Sequence, residues 1–412
     1  MPRLLSLNNY HYRRGGADAM HLEHERIFER LGWETASFAM QHPHNEPSPW
    51  SEHFAEELEL GQDYPAGRKL VMAGRVIYSF EARRKLGRLL DQWRPDVAHA
   101  HNIYHHLSPS VLDALRVRGV PTVLTAHDLK LACPAYKMLN DTGVCERCRG
   151  GNLLHLVRHR CIHGSLPVSA LVMMESAVHR VLGLYRRNLA CVVAPSRFFC
   201  AKLAEWGWPQ ERLRHVPNFV RAELYTPGYE PGDYALYFGR LAPEKGIATL
   251  IDAAARAGVA LRIAGTGPIE EALRARAKRL GNVRFEGYVA GQALHDLVRG
   301  ARVVVLPAEW YENAPLSVLE AYALGKPVIG ARIGGIPELI QEGETGFLFP
   351  SGDGAALAEL LATVAGLAPA LLAAMGRSAR ALVARELTEQ HYVDAMLGLY
   401  RDLGVALAPC TA

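Results

Sequence analysis

Short apolar segments alternate with amphipathic segments along most of the chain, and this alternation limits the folds open to its 412 residues. The apolar segments have the length of buried strands, whereas those between them, such as 268–280, show helical spacing. The predicted strands are 3–7, 35–40, 96–101, 121–127, 190–196, 235–239, 261–265, 283–287, 302–307, 327–331 and 346–350. Because a repeated strand–helix–strand order places parallel strands side by side with helices on both faces, the pattern predicts an α/β fold.

The alternation is broken at 225–234, where two Pro-Gly pairs occur within Y-T-P-G-Y-E-P-G-D-Y. We therefore expect two facing, Rossmann-like, doubly wound domains over residues 1–225 and 226–386. In 387–412 we expect a helix that crosses back to the first domain. Ligands of such sheets bind beyond the carboxyl ends of the strands, so the two domains should enclose a cleft between those ends.

Composition and charge narrow the class of protein. The chain is 49% hydrophobic and 21% charged, and it has no apolar run of the roughly 20 residues that a membrane-spanning helix needs. Its start carries too short an apolar patch for a signal peptide, and its seven cysteines are irregularly spaced, so we expect a reducing cytoplasm. Residues 1–222 hold 29 Lys and Arg against 21 Asp and Glu. Such a basic half suits phosphates, anionic lipid or nucleic acid, and charge alone does not choose among them.

Three loops at the predicted carboxyl ends of strands can approach an anion. Gly15 and Gly16 lie in the first loop, ahead of a helix whose N-terminal N–H groups are unpaired. Arg240 and Lys245 flank the turn G-R-L-A-P-E-K-G, where two cations can bind a diphosphate. The loop A-G-T-G-P (264–268) lacks the full dinucleotide fingerprint, so a nicotinamide cofactor is not indicated.

Two glutamates, Glu312 and Glu320, bracket the segment E-N-A-P-L-S-V-L-E. Asn313 is predicted to be the N-cap of a helix and Pro315 to lie in its first turn, so the helix should begin between the two acids. The acids are then about 10–12 Å apart, which is too far for two carboxylates that flank one glycosidic bond in a hydrolase. The spacing suits the two ends of one elongated ligand with vicinal hydroxyls. Two solvated glutamates on an ordinary helix are the alternative.

These motifs resemble, in order along the chain, those of a known family. The segment from Glu312 to Glu320 is similar to the E-x7-E signature of retaining nucleotide-sugar glycosyltransferases with the GT-B architecture, and of family GT4 in particular. The other matching motifs are R-G-G-A in the first loop, T-A-H-D (125–128), A-P-S (194–196), V-P-N (216–218), G-R-L-A-P-E-K-G (239–246), A-G-T-G-P (264–268) and G-G-I-P-E-L-I with G-E-T-G-F-L-F (334–349). The ordered set is specific, whereas E-x7-E alone is a weak signal.

The resemblance implies how the donor nucleotide would be held. Gly16, beside Gly15, resembles the family's contact to the donor phosphates, and Glu320 resembles the acid that binds the ribose hydroxyls. Arg240 and Lys245 match the pair that neutralises the leaving diphosphate. The further donor-binding residues that the resemblance implies are Gly265, Gly267 and Tyr288, the last in the loop where the family's nucleotide base packs.

The resemblance also implies how the donor sugar would be held. Glu312 resembles the acid near that sugar, and His127 matches the histidine near the sugar's 6-position. The backbone that assists Glu312 is that of Asn313, Ala314, Pro315 and Leu316. The sequence has no Asp-x-Asp clamp, so no catalytic metal is expected, and the two cations with the helix N-termini would stabilise the developing charge. The departing phosphate oxygen would take the acceptor's proton.

Four cysteines occur in addition to the motifs that members of the family commonly share. They are Cys133, Cys145, Cys148 and Cys161, spaced C-x11-C-x2-C-x12-C within an insertion over 133–163. A C-x2-C pair with two outlying cysteines is compatible with a four-ligand structural zinc site. Reduced, partly buried thiols are the alternative interpretation. The resemblance favours a structural role, because similar insertions occur among bacterial relatives.

The resulting hypothesis is a retaining glycosyltransferase of the hexosyltransferase type in bacterial polysaccharide or glycolipid biosynthesis. Its donor would be a nucleotide-sugar, with UDP- or GDP-sugars expected, and its acceptor a lipid-linked, saccharide or small-molecule hydroxyl. The basic first half and the helical segment 168–187 predict peripheral contact with the inner membrane face, with an ordinary core-packed helix as the alternative. No nucleic-acid partner is expected. A nucleotide-sugar epimerase, a phosphorylase and a non-catalytic nucleotide-sugar-binding module are the competing interpretations.

Overall fold

The structure, a computed structural model, describes residues 1–59, 65–140 and 142–406. Its strands in chain order are β1 Arg3–Leu7, β2 Glu34–Phe38, β3 Val97–Ala100, β4 Thr122–Thr125, β5 Leu139–Asn140, β6 Gly143–Val144, β7 Cys191–Ala194, β8 Leu213–His215, β9 Tyr234–Phe238, β10 Ala260–Ala264, β11 Val283–Gly287, β12 Val303–Leu306, β13 Val328–Ala331 and β14 Gly346–Phe349. Every predicted strand is present, with ends displaced by no more than two residues. Strands β5, β6 and β8 were not predicted, because two- and three-residue strands carry almost no periodic signal.

Helices separate most of these strands. In chain order they are α1 Gly16–Arg30, α2 Ala66–Ile77, α3 Phe80–Gln92, α4 Ser110–Val117, α5 Leu154–Arg158, α6 Leu166–Val181, α7 Arg197–Glu205, α8 Ile247–Ala257, α9 Glu270–Ala277, α10 Gly291–Arg299, α11 Leu316–Ala323, α12 Ile336–Leu339, α13 Gly354–Gly366, α14 Pro369–Glu386 and α15 Glu389–Asp402.

Two helices differ from their predicted bounds for identifiable reasons. Helix α9 does not begin at Pro268, because the backbone from Thr266 to Ile269 is hydrogen-bonded to Leu241 of the neighbouring loop. Helix α6 ends at Val181 rather than near Arg187, since Gly183 adopts the left-handed backbone conformation with φ of +61°.

Two parallel six-stranded sheets form the centre of the described molecule. The first sheet has the strand order β2-β1-β3-β4-β7-β8, and the second has the order β11-β10-β9-β12-β13-β14. Strands β5 and β6 form a separate antiparallel hairpin. Parallel strands joined by helical crossovers confirm the predicted α/β class.

Each sheet contains one point at which the chain reverses the direction in which it adds strands. In the first sheet this point lies between β1 and β3, and in the second it lies between β9 and β12. Such reversals open a crevice beyond the carboxyl ends of the two strands, where doubly wound sheets bind ligands. The loops at the first reversal are joined directly, since the N–H of Asn9 donates to the carbonyl of Asn102 at 2.6 Å.

The last helix, α15, packs against the first sheet. Its residues Tyr392, Met396 and Tyr400 belong to the same apolar cluster as Leu4 of β1 and Val97 of β3. The domain boundaries at 225/226 and 386/387 stay predictions, and residues 407–412 of the predicted last segment lie outside the described residues.

No single helix in the described ranges is both long and apolar enough to cross a membrane. The segments Gly354–Gly366 and Pro369–Asp402 meet that requirement only together, and they are bent by 109° where they join.

Candidate functional site

The loop that follows β12 contacts loops of the first sheet through Asn313. Its Nδ2 donates to the carbonyl of Ala126 at 2.9 Å, and its Oδ1 accepts a hydrogen bond from Ser196 Oγ at 2.8 Å. One residue further along, the carbonyl of Ala314 accepts from Asn218 Nδ2 at 2.8 Å. The segment after β12 is therefore fixed to three separate loops of the first sheet.

The expected N-cap role of Asn313 is wrong. Helix α11 begins at Leu316 and its N-cap is Pro315, with no side-chain cap. The amide of Asn313 bonds to the other domain, where both of its polar atoms find partners. The helix start does fall between Glu312 and Glu320, as predicted.

Glu312 and Lys245 form an ion pair at the second reversal point. The ammonium of Lys245 donates to the Glu312 carboxylate and lies 5.1 Å from the centre of the Trp310 ring, a cation–π contact. Glu312 is only 6% exposed, so removal of Lys245 would leave a buried carboxylate without its partner. Arg240, at the start of the same loop after β9, has an exposed side chain. Two cations and one acid therefore lie at this end of the second sheet.

Glu320 lies in a second part of the cleft, beside the first loop. Burial raises the pKa of its carboxyl, and the guanidinium of Arg13 acts in the opposite direction. These two residues line a cavity of about 230 Å³ together with Tyr225 and Leu316. Arg13 was missed by the sequence reasoning, although its position two residues ahead of Gly15 was a usable signal.

The glycines assigned to donor binding stand in three different environments. A Cβ added to Gly16 would lie 3.5 Å from Leu316 of α11, so the start of α1 faces the start of α11. A Cβ on Gly265 would lie 1.9 Å from the carbonyl oxygen of Gly239, and one on Gly267 would lie 2.2 Å from that of Leu241. Gly265 and Gly267 thus have a packing reason to be glycine, and their contact with a donor stays a prediction.

Tyr288, assigned to the base-binding loop, is 77% exposed. It follows Gly287, which ends β11 with φ of +70°. An exposed ring at the rim of the second sheet leaves a face open for stacking. Its role in binding a base stays a prediction.

His127 lies at the end of β4, and its Nε2 is 2.9 Å from Nδ1 of His101. Their rings are stacked with centres 5.2 Å apart. Burial lowers the pKa of His127 to about 4, so its imidazole is neutral near pH 7. Burial also raises the pKa of the adjacent Asp128 to about 6.

A buried group of histidines continues behind His127, and the sequence reasoning did not identify it. His101 stacks on His99, and the Oη of Tyr400 is 2.6 Å from His99 Nδ1 and 2.9 Å from His24 Nε2. Tyr400 therefore joins α15 to the centre of the first sheet. Isolated histidines on strands and helices give no sequence signal for such a group.

The cysteine-bearing insertion is folded around the β5–β6 hairpin. Cys133 and Cys148 are buried, and burial raises the pKa of their thiols to about 11 and about 12. The other thiols of the set are close enough to raise these pKa values further, and the N–H groups of Ala135 and Met138 face the Cys133 sulfur and lower its pKa. The thiols influence one another and one sulfur faces amide donors, but no three of the four sulfurs lie within 4.8 Å of one another. Their binding of zinc stays a prediction.

The insertion also contacts the loops of the second sheet. Glu146 accepts hydrogen bonds from Tyr311 Oη at 2.8 Å and from Lys202 Nζ at 2.9 Å. Lys137 pairs with Glu244 at 3.2 Å. Tyr311 and Glu244 immediately precede Glu312 and Lys245, so the insertion supports both members of that ion pair through their neighbours.

Solved structures similar to this chain define its architectural class. Anabaena HepE in complex with UDP and glucose superposes with a TM-score of 0.65 at 18% identity, over 98% of this chain and 100% of that chain. Sucrose-phosphate synthase from Thermosynechococcus elongatus superposes with a TM-score of 0.71 at 21% identity, over 98% and 99%. The fold is the two-domain GT-B fold.

Sequence comparison identifies the family. Residues 15–224 match the profile described as Glycosyltransferase Family 4, and residues 232–366 match that of Glycosyl transferases group 1. Glycogen synthase of Mycobacterium tuberculosis is 30% identical over 318 residues, 75% of this chain and 69% of that protein. The chain belongs to glycosyltransferase family 4.

Other curated relatives match over shorter lengths. The alpha-D-kanosaminyltransferase of Streptomyces kanamyceticus is 30% identical over 195 residues, 45% of this chain and 50% of that protein. The D-inositol 3-phosphate glycosyltransferase of Streptomyces avermitilis is 37% identical over 178 residues, 39% and 37%. The chain thus spans half or less of the length of these two relatives.

Proposed function

We propose that this chain is a retaining glycosyltransferase that moves a sugar from a nucleotide-sugar to a hydroxyl acceptor. The observation that carries the proposal is the Lys245–Glu312 ion pair at the reversal point of the second sheet. Asn313, next to Glu312, bonds to Ala126, next to His127. Through this hydrogen bond, the loop with the Lys245–Glu312 pair contacts the loop that carries the neutral imidazole of His127.

In this proposal the two ends of the donor occupy the two parts of the cleft. Arg240 and Lys245 neutralise the diphosphate, with the N-terminus of α1 at Gly16 as a further source of N–H groups. Glu320 binds the ribose hydroxyls beside Arg13, and Glu312 accepts hydrogen bonds from the sugar. We further propose that the base is uracil or guanine, which packs against the loop of Tyr288.

The proposed reaction keeps the anomeric configuration of the sugar. The bond between the anomeric carbon and the phosphate oxygen breaks, the acceptor oxygen bonds to that carbon on the same face, and the phosphate oxygen takes the acceptor's proton. Lys245 and Arg240 stabilise the negative charge that develops on the diphosphate. His127, neutral near pH 7, is suited to hydrogen-bonding a sugar hydroxyl rather than to binding a phosphate.

A ligand-dependent melting experiment tests the donor assignment. The purified chain is heated with UDP-, GDP-, ADP- and dTDP-sugars, and a donor at about 100 times its Kd should stabilise it by about 2.7 kcal/mol. Transfer is then measured with saccharide and lipid-linked acceptors, with the product's anomeric configuration read by NMR. Formation of an epimerised donor without a glycoside, or binding without turnover, would replace the transferase proposal with an epimerase or a binding module.

We also propose that a lipid-linked acceptor is approached through the outer surface of α5 and α6. Leu154, Leu166, Met174 and Val181 are exposed there, the last at 85%, within the basic first half of the chain. Apolar side chains beside cations suit the surface of an anionic membrane. Co-sedimentation with anionic but not with neutral vesicles is expected, and equal binding to both would contradict the proposal.

For the cysteine insertion we propose a structural zinc ion held by the four thiols. Metal analysis of the purified chain should give zinc, one equivalent of which is lost in the Cys145→Ser, Cys148→Ser double variant. A matched Cys191→Ser variant, whose cysteine lies in β7, should keep it. Equal zinc content in all three proteins would leave reduced thiols as the explanation.

A further inference from the structure

Two histidines and a glutamate that neither the donor site nor the cysteine insertion uses converge at the first loop and α1. They are His11, His21 and Glu25, and one ligand atom of each lies within 4.8 Å of the other two. Among the described residues, no other group of three or more His, Cys, Asp or Glu side chains meets this spacing. All three are buried, His21 completely.

One nitrogen on each imidazole is buried and unpaired. Nδ1 of His11 and Nε2 of His21 have no hydrogen-bond partner within the described part of the chain. Buried polar atoms without partners are uncommon in folded proteins and call for an explanation, of which a bound ion is one. One nitrogen of each imidazole lies within 4.8 Å of a Glu25 carboxylate oxygen, so a single ion can contact all three groups.

The outer partners of a metal site are already in place. Nδ1 of His21 lies 2.9 Å from Ser6 Oγ, which leaves Nε2 as the nitrogen available to an ion. Ser37 Oγ donates to the carboxylate of Glu25. Metal-binding histidines commonly use their second nitrogen in a hydrogen bond, and metal-binding carboxylates are themselves hydrogen-bonded.

The backbone presents the three side chains from two elements. His21 and Glu25 are four residues apart on α1, so they share one face of the helix. His11 comes from the loop after β1, where its N–H donates to Asn45 Oδ1 at 3.1 Å and its carbonyl accepts from Glu46 N at 2.8 Å. An ion held by all three residues would join the first loop to α1.

We propose that His11, His21 and Glu25 bind a divalent transition-metal ion, of which Zn²⁺ is the expected occupant. Two imidazoles and one carboxylate suit such an ion, with a solvent molecule in the fourth position. Bonds of about 2.0–2.2 Å place the ligand atoms of a tetrahedral site about 3.5 Å apart. The ligand atoms now lie within 4.8 Å of one another, so small side-chain rotations that move them by roughly 1 Å would complete the site. The ion has a structural role, because it fixes the loop that leads into Gly15 and Gly16.

The charges of the site agree with a cation. Burial lowers the pKa of His11 and of His21, so both imidazoles are in the neutral form that metal ligation requires. Burial raises the pKa of Glu25 to about 7 in spite of the Ser37 hydroxyl. The guanidinium of Arg26, which follows Glu25 on α1, is paired with Glu46 at 2.8 Å.

The test uses the full chain with Cys145→Ser and Cys148→Ser, which removes the pair of thiols most suited to bind zinc. After chelator treatment, this protein should bind one equivalent of Zn²⁺ and melt at a higher temperature when the ion is present. Glu25→Gln, which keeps the volume and the Ser37 contact, should weaken Zn²⁺ binding by at least about tenfold. Glu29→Gln, the same change one turn along at an exposed position, should leave binding unchanged.

A second ligand variant and a spectroscopic probe distinguish the loss of a metal ligand from misfolding of a variant. His11→Asn, in a loop rather than a helix, should weaken Zn²⁺ binding as Glu25→Gln does. Co²⁺ bound to the cysteine-depleted chain should show weak visible bands of nitrogen and oxygen ligands without a thiolate charge-transfer band. Equal Zn²⁺ content and equal thermal shifts in the parent, Glu25→Gln and Glu29→Gln proteins would overturn the proposal, as would failure of the cysteine-depleted chain to bind Co²⁺ or Zn²⁺. Because metal content and melting are the readouts, the proposal can fail while the transferase proposal stands, and the reverse also holds.

Discussion

Lys245 and Glu312 form an ion pair although they follow strands that are far apart in sequence. Lys245 follows β9 and Glu312 follows β12, and these two strands are neighbours at the reversal point of the second sheet. The cation expected at the diphosphate thus contacts the acid expected at the sugar. A donor bound here would meet a cation and an acid whose positions depend on each other.

Removing Lys245 should reduce both turnover and stability. Lys245→Ala takes one cation from the leaving diphosphate, and a fall in kcat of about 10²–10³ is expected. It also leaves the buried Glu312 unpaired, which should cost roughly 1–3 kcal/mol of unfolding free energy. Arg240→Ala is the matched comparison, because its exposed side chain should affect turnover without lowering the melting temperature. Equal losses of stability in both variants would contradict the role assigned to the pair.

The Asn313 bridge predicts energetic coupling between the two domains. Asn313→Ala removes hydrogen bonds to Ala126 and Ser196, and a loss of about 1 kcal/mol for each is expected. Ser196→Ala removes only one of these contacts, although Ser196 also caps α7. A double-mutant cycle measured by urea unfolding should give a coupling of about 0.5 kcal/mol or more. Strictly additive losses would show that the bridge is not formed in solution.

Tyr400→Phe should destabilise the attachment of α15. The hydroxyl lies between the buried imidazoles of His99 and His24, and its loss leaves polar atoms unpaired in the core. A loss of roughly 1–3 kcal/mol is expected in chemical denaturation. Tyr288→Phe, at an exposed position, removes the same atom and should leave stability unchanged. A neutral result for Tyr400→Phe would mean that α15 is held by apolar contacts alone.

His127 and Asp128 predict opposite dependences of stability on pH. The folded-state pKa of His127 is about 4, below that of an unfolded histidine, so the stability present above about pH 6.5 falls as the pH drops toward 4. The folded-state pKa of Asp128 is about 6, above that of an unfolded aspartate, so its contribution becomes less favourable as the pH rises through 6.

Two variants separate these contributions. Asp128→Asn should raise the unfolding free energy near pH 8 and change it little near pH 4, whereas His127→Asn should flatten the decline between pH 6.5 and 4. Denaturant titrations at several pH values measure both effects. An equal shift at every pH would indicate that neither group is perturbed by burial.

The contact between Glu146 and Tyr311 predicts that the cysteine insertion supports the sugar-binding loop. Tyr311→Phe removes a hydrogen bond next to Glu312, and a several-fold fall in kcat/KM is expected from a small displacement of that loop. Metal content should be unchanged, since no cysteine is altered. Cys200→Ser, a substitution outside the insertion, serves as the control. Unchanged kinetics in Tyr311→Phe would limit the insertion to a role in folding.

Much of the fold could be predicted because its signals are local. The apolar segments of β1 and β9 and the glycines that follow them report burial and turns within a few residues. The break at 225–234 is likewise visible in composition. The ordered motifs placed Arg240, Lys245 and Glu312 in loops at the ends of strands, where parallel sheets bind ligands, and Glu320 on the helix that follows.

The role of Asn313 could not be predicted, since it depends on a partner more than a hundred residues away. Its neighbours favoured an N-cap, yet its amide bonds to Ala126 and Ser196 of the other domain. The group of His11, His21 and Glu25 likewise became visible only when β1 and α1 were packed together. The position of Arg13 in the first loop was visible in the sequence, but its relation to Glu320 exists only in the folded chain.

The order of strands and helices, the division into two halves and the family motifs could be predicted from local patterns, because each depends on periodicity or spacing along the chain. The tertiary structure decided which charges are paired, which imidazoles are neutral and which glycines are required by close packing. Those properties depend on burial and on contacts between distant segments. The local pattern therefore specified the positions of the site residues, and the packing of two sheets specified their chemical states.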